Sequence, residues 1–224
     1  MTKSKNIVLT GFWHPTNEML RHLSAHPGTN PDGWQGGNWR GLGYDIFSFF
    51  PEVEAGNRGA GIGNFRVDFA SVFNDFIHVT EAFKPIAMIG FGFAPHAHMR
   101  FEINYPAKFQ KWFESGEIPT VVDEKIRYAV QDSLKTSKTF HSSLPVKKMK
   151  SRVDALGLKN FQTEINDSGD PGEYLCAFLS YLLGWYHSEN LDTNQMSGFI
   201  HAQGEVVDLN LALEACLRET ISKL

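Results

Sequence analysis

The run PIAMIGFGFA at residues 85–94 limits the fold more than any other stretch of this chain. It is apolar almost throughout, short, and ends in glycines, which is the pattern of a strand buried on both faces. The segment before it, RVDFASVFNDFIHVTEAF at 66–83, places Phe69, Val72, Phe73, Phe76, Ile77 and Val79 at helical spacing. A strand buried on both faces needs helices on both sides of its sheet. NIVLTGF (6–12, ended by Gly11), YDIFSFFPEV (44–53), NFQTEIN (160–166) and SGFIHA (197–202) read as further strands. TNEMLRHLS (16–24, with Thr16 as N-cap), the segment after SSLPV (142–146), the run to about Tyr186 and the C-terminal VVDLNLALEACLRETISKL read as helices. This alternation predicts an α/β fold with a mostly parallel central sheet and helices on both faces.

With 42% hydrophobic and 21% charged residues, the 224-residue chain has the material for a sizeable core. No internal repeat or dividing linker is visible, so residues 1–224 are expected to form one domain. The net charge of −4 supplies no basic face for nucleic acid, and KKMK at 147–150 reads as a solvated helix face. No apolar run is long enough to span a bilayer, and the first one is too short for a signal-peptide core. Two cysteines, Cys176 and Cys216, are too few for a disulfide scaffold or a cysteine zinc site, so a reduced cytoplasmic setting is expected. The Gly- and Pro-rich segment 26–43 is a long loop. Trp34, Trp39 and Tyr44 in or beside it favour packing against the body of the protein.

Cys176 ends the turn-rich stretch GDPGEYLC at 169–176. A thiol there is a core cysteine, half of a disulfide, a metal ligand or a nucleophile. Asp170, Pro171 and Glu173 look like a helix start, which would put Cys176 in the second turn, where the dipole has faded. The nucleophile reading works better if 170–174 are a turn and the helix starts near Cys176. A nucleophilic cysteine needs a base. His187, on the same helix, is about 16 Å along at 1.5 Å per residue and is excluded. His201 ends a buried strand, and α/β sites assemble at such strand ends. A structural histidine is the plainer alternative there. Cys216 reads as core. HAH at 96–98 has no further ligands nearby, so no metal is expected. GNRGAGIGNF at 56–65 follows a strand, but its spacing fits neither a dinucleotide fingerprint nor a P-loop.

Several segments, taken in order, resemble the pyroglutamyl peptidase I family. IVLTGF is similar to that family's opening strand and turn, and IGFGFA to its apolar strand and glycine turn. SSLPVKKMKSRVDALGL is similar to its Ser-Thr-Leu-Pro-Val segment and following helix. INDSGDPGEYLC resembles its nucleophile segment, and FIHA its histidine segment. The resemblance implies a three-layer α/β/α sandwich. It also implies a cysteine peptidase that removes an N-terminal pyroglutamyl residue from peptides, without a cofactor and with self-association. Cys176 would be the nucleophile and His201 its general base.

The third catalytic member in that family is a glutamate in a Glu-Arg-x-Ala-x-Asn segment, expected to be helical. MRFEIN at 99–104 stands there, with Met99 in the glutamate's place. Glu102, one helical turn on, is the expected substitute; the alternative is that the third member is absent. The family's arginine-bearing segment is not recognisable in YPAKFQKW (105–112), and Ala177 replaces an asparagine after the nucleophile. Trp13-His14-Pro15 replaces a pocket-building pair after Phe12. Phe12, Trp13 and Tyr174 are the expected substrate-binding residues, with the first two as an aromatic wall for a flat lactam. The rival readings are a divergent member with altered substrate or no catalysis, acting as a binding module, and a nucleotide-binding protein using loop 56–65.

Overall fold

The computed structural model describes residues 5–52, 62–93, 95, 97–109, 138–172 and 174–224. A six-stranded sheet is built from β1 (Asn6–Thr10), β2 (Asp45–Phe49), β3 (Ala87–Gly92), β4 (Met99–Glu102), β7 (Thr163–Asn166) and β8 (Met196–Ala202), in the order β2-β1-β3-β8-β4-β7. Strands β2, β1, β3 and β8 pair in parallel. β4 runs antiparallel to β8 and parallel to β7. Only residues 93–98 separate β3 from β4, too few for the crossover that a parallel return requires. The chain therefore turns back, and β8 later fills the slot between them. A two-stranded ribbon, β5 (Asn104–Tyr105) with β6 (Phe140–His141), stands apart.

Helices cover both faces. On one side lie α1 (Thr16–Leu20), α3 (Val146–Asp154) and α5 (Val206–Ile221), which bring Leu20, Met149, Val153, Leu209 and Leu213 against Ile7, Ile89 and Phe101. On the other lie α2 (Phe69–Phe83) and α4 (Leu175–Glu189), with Phe73, Phe76, Phe178, Leu179 and Leu182 against Val8, Met88 and Phe199. This is the three-layer α/β/α arrangement. Each large apolar side chain so covered contributes about 1.5–3 kcal/mol. α2 starts where Asp68 accepts a hydrogen bond from the Ser71 backbone N–H at 2.7 Å. α4 is apolar on nearly every side, because Ala177–Trp185 are buried between the sheet, α2 and the ribbon.

Some boundaries differ from expectation. The second strand stops at Phe49, short of Pro51. The 16–24 segment divides into α1 and a 3-10 turn, Arg21–Leu23. Thr16 lies inside α1 rather than capping it, and its hydroxyl donates to the Trp13 carbonyl at 2.6 Å. The 26–43 loop is packed, as expected. Trp34 stacks on Phe47 at 4.6 Å and donates to the Ile46 carbonyl, and Trp39 is buried. Most of the glycine-rich loop 56–65 and most of 105–138 lie outside the described residues. Among the described residues no helix is long and apolar enough to cross a membrane.

Candidate active site

The site grows from two glycines in β3. Ala87, Ile89 and Phe91 face the α1/α3/α5 core, so Met88, Gly90 and Gly92 face α4. A Cβ on Gly90 would meet Leu183 at 2.9 Å and Leu179 at 3.1 Å, so α4 rests on bare backbone. A Cβ on Gly92 would lie 2.8 Å from Cys176 Sγ and 3.2 Å from His201 Cδ2. The sulfur and the imidazole therefore flank one small volume that only glycine leaves open.

Helix α4 begins at Leu175, with Tyr174 as N-cap. Cys176 is thus in the first turn, where backbone N–H groups have no intrahelical partner. The capping pattern expected at 170–173 does not start the helix. Asp170 instead accepts from the Gly172 N–H at 3.3 Å and pairs with Lys108 at 3.1 Å, forming the turn before it. Burial first, and then the charge of Glu102, push the Cys176 thiol up to about 12; its own backbone amide opposes them and is outweighed.

His201 sits near the end of β8 and is 3% exposed. Arg100 is its cross-strand partner and Glu102 that of Phe199, so all four side chains share one face and Glu102 is a diagonal neighbour of the imidazole. Glu102, wholly buried, places Oε1 2.8 Å from His201 Nδ1. A nitrogen facing a carboxylate donates to it, which leaves Nε2 as the basic nitrogen. Nε2 adjoins Cδ2, the imidazole atom nearest the space left at Gly92. Arg100 Nε lies 3.2 Å from Glu102 Oε1 and 3.1 Å from Glu164 Oε1, as an ion pair without hydrogen-bond alignment.

Residues 115–205 match the family model described as pyroglutamyl peptidase. Over those residues the chain is similar to that family. No curated protein matches it. Among solved structures, pyrrolidone carboxyl peptidase from Thermococcus litoralis aligns over 97% of this chain and 94% of its own, with TM-score 0.65 and 15% identity. The Pyrococcus furiosus enzyme of the same name aligns over 97% and 99%, with TM-score 0.62 and 16% identity. At such identities these matches establish the fold.

Met99 stands at the family motif's glutamate position, and Glu102 is the residue beside His201. The 99–102 segment is a strand, and the helical spacing expected for Glu102 does not apply. In a strand, residues three apart point to opposite faces. Met99 faces the other core and touches Cys216 at 3.7 Å, while Glu102 faces Cys176 and His201. Cys176, His201 and Glu102 are thus brought together.

Phe12 and Trp13 follow β1, which runs parallel to β3, so both sit at the same sheet edge as Gly92. Phe12 is buried; Trp13 is exposed. Tyr174 is exposed, with its ring edge on Phe69 at 5.1 Å. His187 lies at the far end of α4, beside Asn194. The His98 ring lies tilted against Phe161 at 5.1 Å and accepts from the Gln162 N–H. His96 is outside the described residues, among which no metal-ligand cluster is found.

Sequence reasoning missed Tyr105 and Asn166. The buried Tyr105 hydroxyl donates to the Glu102 carbonyl at 3.1 Å and accepts from the Phe199 N–H at 2.9 Å. It clamps the strand carrying Glu102 to the strand carrying His201, and burial pushes its pKa up. Asn166 ends the alternating strand TEIN at the level of Glu102. A polar residue closing a β-run just before the segment that carries Cys176 was the available signal.

Proposed function

We propose that this protein is a cysteine peptidase that removes an N-terminal pyroglutamyl, or similar lactam, residue from a peptide. Cys176 is the nucleophile, His201 the general base and Glu102 the orienting carboxylate. The observation that carries this reading is the 2.8 Å contact between Glu102 and His201 Nδ1, with the Cys176 sulfur and the imidazole both bordering the space left at Gly92.

Burial raises the Cys176 thiol, so the reaction begins from the thiol rather than from a thiolate. As the sulfur attacks the carbonyl that follows the lactam ring, His201 Nε2 takes the thiol proton. The imidazolium so formed is held by the Glu102 side chain. The free N–H groups of the first turn of α4 receive the developing oxyanion. His201 then returns the proton to the leaving amine. Water, deprotonated by His201, attacks the thioester and releases the acid and the thiol. Trp13 and Tyr174 supply exposed aromatic surface at this edge, and Phe93, also exposed at the end of β3, adds to it.

The test is turnover of a pyroglutamyl-aminocoumarin substrate. Wild type is expected to release coumarin, with Cys176→Ala and His201→Ala at background. Equal release by wild type and Cys176→Ala, or none by either, would sink the proposal. The alternative is a non-catalytic binding role, favoured by the surroundings that raise the Cys176 thiol.

A further inference from the structure

We infer that Asn166 is a positioning residue that locks the Glu102 carboxylate behind His201 and ties it to the loop leading to Cys176. The inference rests on the reading of those three residues as the reacting group. Asn166 closes β7 as the cross-strand partner of Glu102, with 9% of its surface exposed. Its Nδ2 donates to Glu102 Oε2 at 2.5 Å and reaches the Asp170 carbonyl at 3.3 Å. Its Oδ1 accepts from the backbone N–H of Ser168 at 3.1 Å and from the Ser168 hydroxyl at 2.7 Å. The orientation of the amide follows from these partners: a carboxylate must receive a donor, and an N–H must meet an acceptor.

The arrangement divides the carboxylate's two oxygens. Oε1 serves His201 and lies beside Arg100; Oε2 is held by Asn166. Arg100 competes with the imidazole for Oε1. A carboxylate held by one oxygen alone would turn towards that fixed positive charge. Asn166 prevents the turn, and so keeps the imidazole aimed at the sulfur. The loop has other anchors: Asn104 donates to the Asp167 carbonyl at 2.6 Å, and Lys108 pairs with Asp170. The donated bond to Glu102 is therefore the specific contribution of the amide.

The isosteric variant Asn166→Asp separates the two halves of that role. It keeps the acceptor that holds Ser168 and replaces the donor by a second carboxyl. Two carboxyls at hydrogen-bond distance share one proton. While that proton is held, an O–H replaces the lost N–H; once it leaves, the two charges repel. Activity in Asn166→Asp is therefore expected at low pH and lost as pH rises through the neutral range, a fall that wild type does not share. Asn166→Ala is expected to lower kcat by up to about 100-fold with KM little changed. Ser168→Ala, which loosens only the loop side, should keep the wild-type profile.

The hydrogen-bonded imidazole N–H proton of His201, followed by NMR, gives the same readings without substrate. It should persist across neutral pH in wild type and Ser168→Ala, and disappear with rising pH in Asn166→Asp. If no protein turns over substrate but this pattern holds, the peptidase reading falls and the positioning role stands. If Asn166→Asp fails to fold, Asn166→Ala is read for loss of the signal at every pH. A wild-type profile and signal in the folded Asn166 variants would overturn the inference. So would an equal change in Ser168→Ala.

Discussion

At the scale of single residues, the site depends on a side chain that is not there. A methyl group on Gly92 would stand 2.8 Å from both Cys176 Sγ and the Phe199 ring. Gly92→Ala is expected to cost about 1–3 kcal/mol of stability by overpacking, and up to about 100-fold in turnover by moving sulfur from imidazole. Gly37→Ala is the control, because its nearest neighbour would be a Trp34 ring atom at 3.4 Å. Equal melting temperatures and rates for both variants would refute this. The raised Cys176 thiol predicts slow alkylation by iodoacetamide at neutral pH. Met99 and Glu102 show where sequence reading stops at this scale. Both are visible in MRFEIN, but which one meets His201 depends on the face each takes.

At the scale of elements, that face was decided by strand rather than helix geometry. The β-prone residues of MRFEIN pair with β8 and β7, and a one-residue change of register would send every side chain to the opposite core. The start of α4 is the second such case. DPGE reads as a helix start, yet Asp170 is drawn into a turn with Gly172 and Lys108, and the helix begins at Leu175. That delay brings Cys176 into the first turn. α2, by contrast, was legible along most of its length, because spacing and cap agree. Its cap makes a direct prediction: Asp68→Ala should lower stability by about 1 kcal/mol, measured by urea unfolding. No change in the unfolding midpoint would mean that the Ser71 N–H finds water instead.

At the scale of the whole molecule, titration should limit stability from both sides. Hydrogen bonding to Arg21 lowers the pKa of Glu18, and hydrogen bonding to Lys108 lowers that of Asp170. Groups lowered on folding stabilise above their unfolded pKa and lose that contribution as pH falls through the folded one. Both pairs are partly exposed, so the acid effect is modest. Cys176 is raised on folding. Its contribution is complete below the ordinary thiol value of 9.0 and is lost as pH rises towards about 12. The melting temperature is expected to decline below the carboxylate range and again above pH 9.0. Cys176→Ala should make the alkaline decline shallower; an unchanged slope would contradict the assignment.

The sequence by itself determined the layered α/β architecture, since the apolar run at 85–94 and the amphipathic segments around it can be buried in few other ways. Turn and strand position left Cys176 and His201 open as candidates, and only the resemblance to a known family singled them out. The tertiary structure alone decided that β4 runs against its neighbours, that Glu102 rather than Met99 faces the imidazole, and that Asn166 and Tyr105 hold the arrangement. The physical reason is that these contacts join residues far apart in the chain, with Glu102 to His201 spanning 99 positions. Their geometry is set by cross-strand register and by space left at Gly92, and neither leaves a local trace in composition or periodicity.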